Sequence, residues 1–168
     1  LAQCPDAEVA SSLLERALTR DPSMSLRARA LRAAAQLGQQ QLVLSTVDRL
    51  SVSPNVTMRF AIVDALRRMG DFEGSEERIR GLLGLEDEAM VMALAMLGAR
   101  GDVEAKTRLG EILREGELSR ASTAAIAAHA LEPDDLADAL LVALEREEPE
   151  LHVLAVVAGH VGAADPVR

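Results

Sequence analysis

Three histidines are the first side chains to test for chemistry: His129, His152 and His160. His152 and His160 stand eight residues apart, so on one helix they share a face two turns from each other, ~12 Å at the helical rise. That span is too wide for a single metal ion without further ligands. Glu148 lies four residues before His152 and makes at best a two-ligand site, fewer than the three or four protein ligands zinc takes. No metal site is therefore expected. Cys4 is the only cysteine, which excludes an internal disulfide and a cysteine-based zinc cluster. With no histidine near it in sequence, Cys4 is a poor nucleophile, and a lone thiol fits a reducing cytosol. Gly81, Gly84 and Gly98 form no phosphate-cradling fingerprint. Neither a Gly-x-Ser-x-Gly elbow nor a His-Glu-x-x-His helix occurs. The sequence points to no catalytic set and no cofactor.

Charge offers more. Arginines gather in two stretches, Arg27, Arg29 and Arg32, then Arg59, Arg67 and Arg68. Arg29, Arg32, Arg67 and Arg68 are the candidates for contact with an acidic peptide or an anion, set against the plainer reading of a solvated helix face. Acids cluster later: Glu132, Asp134, Asp135, Asp138, then Glu145, Glu147, Glu148 and Glu150. Asp134 and Asp135 follow Pro133 and should open a helix, where the amide end of the dipole favours carboxylates. Glu145 to Glu150 close it against that dipole, either as an acidic edge for a basic partner or as a solvated end. Residues 1–84 carry 11 basic and 10 acidic side chains, residues 85–168 carry 7 and 17, and the whole chain is at −9. That balance argues against a nucleic-acid partner.

The elements that must hold these side chains are helices. Of 168 residues, 29 are Ala and 26 Leu, while Phe60 and Phe72 are the only aromatics. Sheets built on β-branched and aromatic packing are excluded, and so is base or sugar recognition by ring stacking. At 49% hydrophobic residues and a mean hydropathy of +0.10 the chain is too apolar to be disordered. No run approaches the ~20 apolar residues of a membrane span. Ala10, Leu13, Leu14, Ala17 and Leu18 mark one helix face; Met58, Ala61, Ile62, Ala65, Leu66 and Met69 mark a second; Leu136, Leu140, Leu141 and Leu144 a third. Pro22, Gly38, Pro54, Gly70, Gly101, Pro133, Pro149 and Gly162 punctuate them, which predicts helices of about 11–15 residues joined by short turns. Gly38 to Gly70 is 32 residues, Gly70 to Gly101 is 31, and Gly101 to Gly162 is 61, two steps of the same size. Five repeats follow, at about 6–38, 39–70, 71–101, 102–132 and 133–162. Such a period belongs to stacked helix pairs. Ala33, Ala34, Ala61, Ala65, Ala93, Ala124 and Ala128 are then expected to let the second helices approach closely.

The stretch Asp21-Pro22…Leu26-Arg27…Ala30…Ala33-Ala34…Leu37-Gly38 resembles the second helix of a HEAT repeat of the bacterial, phycobilisome-lyase-like type. Pro54…Met58-Arg59…Ala61…Ala65-Leu66…Met69-Gly70-Asp71 resembles it more closely. Later repeats drift: Ala89-Met90 replaces the apolar-Arg pair, Arg120 falls one position early, and Glu150-Leu151 opens the fifth. The resemblance implies an all-α, right-handed α-solenoid of about five helix pairs, with second helices lining the concave face. It also implies that Arg27 and Arg59 bridge to an acid in a neighbouring repeat. The Arg-for-Lys bias, with Lys106 the single lysine, is read as coding in a GC-rich bacterial genome.

Leu1 to Asp6 reads as the end of a preceding second helix and Asp165-Pro166-Val167-Arg168 as the start of another first helix, so a longer parent chain is expected. Leu1-Ala2-Gln3-Cys4 is loosely similar to a lipoprotein cleavage box, but Gln3 stands where a small residue belongs. The expected function is a non-enzymatic, cytoplasmic scaffold for a protein or peptide partner, without nucleic acid or membrane insertion. A bilin lyase-type protein is the alternative from the resemblance, and a HEAT-like DNA-binding module a further one that the charge opposes.

Overall fold

The computed structural model describes residues 5–51, 53, 55–128, 131, 136–146 and 148. His129, His152, His160, Cys4, Pro133, Asp134, Asp135, Glu147, Glu150 and Gly162 lie outside the described residues. Among those described, all regular structure is helical: α1 (Pro5–Arg20), α2 (Met24–Gln36), α3 (Gln40–Leu50), α4 (Val56–Met69), α5 (Ser75–Gly81), α6 (Glu88–Gly98), α7 (Val103–Glu115), α8 (Leu118–Ala128) and α9 (Ala137–Leu144), with one 3-10 turn at Leu82–Gly84. The all-α class is borne out.

Polar side chains start α2, α4, α6 and α7. Ser23 Oγ accepts from Leu26 N at 3.3 Å, Asn55 Oδ1 from Met58 N at 3.1 Å, and Asp87 Oδ1 from Ala89 N and Met90 N at 2.9 and 3.3 Å. Each takes up amide donors that the first turn leaves without an intrahelical partner. These caps open α2, α4 and α6, and they recur at intervals of 32 residues. Asp102 caps α7 in the same way through Ala105 N. At the other end, Gly38, Gly70 and Gly101 have φ of 68°, 70° and 91°. At Gly38 the left-handed residue lets Gly38 N reach Ala35 O at 3.1 Å and Gln39 N reach Ala34 O at 2.9 Å, the bond pair that closes a helix on a glycine. Gly101 and Asp102 repeat this pair on Gly98 O and Leu97 O.

The chain divides into two compact units, Leu1–Leu82 and Leu83–Arg168. The division falls inside the stretch 71–101, where Gly81 precedes the 3-10 turn and Gly84 ends it. There α5 runs only seven residues, shorter than the expected 11–15, and ends on Gly81.

In the N-terminal unit α2 packs on α1, on α3 and most extensively on α4. The close approach follows from Ala28, Ala34, Ala61 and Ala65, all without solvent exposure, with Leu31, Ile62 and Leu66 filling between them. The anticipated α4 face is buried from Met58 to Leu66, and Met69 is half-buried. Among the described side chains of α1 only Leu18 is fully buried, and Leu13 is 61% exposed; α1 packs chiefly on α2. In the C-terminal unit α7 packs on α6, α8 and α9, and α6 packs on α8. Here α6 is buried nearly all round, from Ala89 to Gly98, so it shows no amphipathic stripe. Leu136 and Leu140 of the expected α9 face are buried, while Leu141 points out.

Arginines tie the turns. Arg27 Nε donates to Asp21 O, and Arg59 Nη1 to Ser53 O at 2.8 Å, each reaching six residues back onto a carbonyl in the loop before its own helix. For Arg27 the partner seen is thus a loop carbonyl of its own repeat. Arg49, at the end of α3, donates through Nη2 to Leu18 O of α1 at 3.2 Å. Arg146, just past α9, donates to Leu113 O at 3.1 Å and Gly116 O at 2.8 Å at the end of α7, and pairs with Glu148 at 3.0 Å. Both guanidiniums sit where the carbonyl end of a helix attracts positive charge.

Candidate functional site

Three of the four candidate arginines meet on one carboxylate. Asp64, at mid-helix in α4, accepts from Arg67 Nη2 on Oδ1 at 3.1 Å and from Arg68 Nε on Oδ2 at 3.0 Å. Arg32 Nε, from α2, stands 3.5 Å from the same Oδ2. Two of these pairs follow from helical spacing, since residues three and four apart share a face. The third exists because α2 and α4 lie close enough for a side chain to cross their seam. Arg29 lies one turn before Arg32 on α2, is exposed, and pairs with no described residue.

The carboxylate is the most shielded member. Asp64 is 17% exposed, against 38% for Arg32, 60% for Arg67 and 38% for Arg68. Partial burial pushes the Asp64 carboxyl up, but hydrogen bonds from Arg68 and Arg67 and their charges pull it down further, so its pKa lies below the ordinary 3.8. One negative charge thus faces three positive ones, and two positive charges are left over at the α2–α4 seam. Asp64 was not singled out from the sequence. Its placing three and four residues before Arg67 and Arg68 is the signal that marks it.

A second carboxylate–guanidinium pair links α3 to α5: Arg78 Nε and Nη2 donate to Asp48 Oδ1 and Oδ2 at 2.7 and 2.9 Å. The Arg78 hydrogen bonds hold the Asp48 carboxyl below 3.8, outweighing its slight burial. Both Asp48 and Asp64 contribute stability that is full above the unfolded value of 3.8 and lost as pH falls through the lower folded values. Unfolding midpoints measured between pH 6 and pH 2 should therefore fall more steeply for the wild type than for Asp64→Asn, with the difference at pH 6 no more than about 1 kcal/mol. Parallel pH curves would contradict this.

The C-terminal unit offers a shallow groove of about 480 Å³ lined by Glu86, Met90, Arg108, Glu111, Glu115 and Arg120. Its charges are mixed, and Arg120 is partly taken by Glu117 at 3.5 Å. Of the acidic run, Asp138 lies in the first turn of α9, Glu145 caps its end, and Glu148 pairs with Arg146. Among the described residues no group of three or more His, Cys, Asp or Glu gathers as a metal site. No described helix is long and apolar enough to cross a membrane.

No protein-family model, curated protein or solved structure matches the chain. The class that the structure defines is all-α, with a helical N-terminal unit that carries an arginine cluster on the α2–α4 seam.

Proposed function

We propose that this chain is a non-enzymatic scaffold of HEAT type, an α-solenoid segment of stacked helix pairs acting in the bacterial cytoplasm, and that it binds a protein partner through the α2–α4 face. The observation that carries the reading is the gathering of Arg32, Arg67 and Arg68 on Asp64, with Arg29 alongside. A protein at −9 that concentrates surplus positive charge at one seam has a surface suited to an acidic segment. The 32-residue recurrence of the caps Ser23, Asn55 and Asp87, and the shared reach of Arg27 and Arg59 onto loop carbonyls, support a repeat array. In such an array side chains spread over several repeats bind one partner together.

The test replaces Arg29, Arg32, Arg67 and Arg68 with glutamine. Proteins cross-linked to the wild type in cells are identified, purified and titrated against both forms. The four-fold variant should melt close to the wild type and bind the partner at least ten-fold more weakly, about 1.4 kcal/mol. Equal affinity for both forms would refute the assignment of this face.

A further inference from the structure

We propose that the guanidinium groups gathered by Asp64 form a binding site for a phosphate monoester carried on a partner peptide. This rests on the scaffold reading above and specifies what its arginine face takes.

Three like charges within reach of one carboxylate repel one another unless an anion holds them. Asp64 does so while lying more shielded than any of the three, so the arginines are the part of the cluster open to solvent. A guanidinium carries five N–H donors, and Arg67 and Arg68 each spend one on Asp64, while Arg32 approaches it through Nε alone. Most donors of the cluster are therefore unspent among the described residues. The platform beneath is firm: Leu31 and Ala34 of α2 and Ala61, Ile62 and Ala65 of α4 are fully buried, so the two helices hold Arg32 in fixed relation to Arg67 and Arg68.

The surplus of two positive charges is compact, concentrated around the two oxygens of a single side chain. A phosphate monoester brings about −1.5 to −2 at pH 7 and three strong acceptor oxygens on one atom, and arginine forks match that geometry. A single carboxylate brings half the charge. Two carboxylates on neighbouring helical side chains spread it over ~5–6 Å between their Cβ atoms. A nucleic-acid backbone would face the remainder of a −9 protein, whereas one phosphate on a peptide meets only the local field. Arg29, one turn before Arg32, is placed to take an acidic residue flanking the phosphorylated one.

The test titrates the ¹⁵N-labelled full chain with three probes: a Gly-phosphoserine-Gly peptide, a Gly-Glu-Glu-Gly peptide and inorganic phosphate. The arginine Nε–Hε resonances are followed. The phosphoserine peptide should shift the signals of Arg32, Arg67 and Arg68 saturably, leave Arg146 in place, and bind at least ten-fold more tightly than the Glu-Glu peptide. Arg32→Gln with Arg68→Gln should weaken it at least ten-fold. Arg67→Gln, at the most exposed of the three sites, gives a second reading if the double variant does not fold, and it should weaken binding measurably. Equal affinity for the Glu-Glu peptide, unmoved arginine signals, or undiminished binding by the variants would overturn the proposal. Inorganic phosphate binding more tightly than the peptide would make this a free-anion site and overturn the peptide assignment. A null result with the phosphoserine peptide, combined with weakened binding of the purified partner by the four-fold arginine variant, removes the phosphate and leaves the scaffold reading standing.

Discussion

Replacing Leu66 with alanine is expected to destabilise the N-terminal unit by about 2–5 kcal/mol, the usual cost of emptying a tightly packed site. Leu66 is fully buried on α4, the helix that packs most extensively on α2. Ile62 and Val63, four and three residues before it on the same face, are themselves fully buried, so the space left by the leucine lies in a packed interior. Leu13→Ala on α1 is the control: that side chain is 61% exposed, and its loss should cost no more than about 0.5 kcal/mol. Urea unfolding followed by circular dichroism separates the two. A Leu66→Ala cost below about 1 kcal/mol would mean that the α2–α4 seam does not hold the unit together. The seam also positions Arg32 over Asp64, so the same variant should loosen the arginine cluster.

Arg146→Met should destabilise the C-terminal unit by about 1.5–3 kcal/mol, the range for hydrogen bonds made by a charged group. The variant keeps an apolar stem and removes the fork that donates to Leu113 O, Arg114 O and Gly116 O. Those carbonyls end α7 and lose their capping charge, while Glu148 loses its cation. Glu148→Gln should cost less, since the carbonyl contacts remain. Hydrogen exchange of the last turn of α7 is the sensitive readout: faster exchange there than in α8 is expected. Unchanged protection would show that water serves these carbonyls as well as Arg146 does.

Much of the fold was legible because helix punctuation is local chemistry. Gly38, Gly70 and Gly101 stop helices by adopting positive φ, which needs no knowledge of tertiary structure. The buried face of α4 was readable from its 3.6-residue spacing for the same reason. The recurrence of Ser23, Asn55 and Asp87 was not seen, although it is as regular as the glycines, because three different residue types fill one role and only their shared ability to accept from an amide relates them. Periodicity gives no face where a helix is buried all round, as in α6, and it overstates the buried face of α1, where Leu18 is covered but Leu13 is exposed. In both cases the neighbours that decide burial lie elsewhere in the chain.

The site was half legible. Arg29, Arg32, Arg67 and Arg68 stood out by charge, and local spacing was enough to pair Asp64 with Arg67 and Arg68. Bringing Arg32 to the same carboxylate needs the α2–α4 packing, a contact across 32 residues of chain that no window of local sequence contains. The same holds for Arg78 with Asp48 and for Arg146 with the end of α7. Long arginine stems reach partners that tertiary structure supplies, so their roles were invisible until the helices were placed.

The most direct test of the scaffold account is arginine labelling with a glyoxal reagent, read by mass spectrometry on the free chain and on its complex with the purified partner. The account predicts that the partner protects Arg29, Arg32, Arg67 and Arg68 while Arg16 and Arg20, exposed on α1, react as before. A complex in which those four arginines stay as reactive as in the free chain would contradict it.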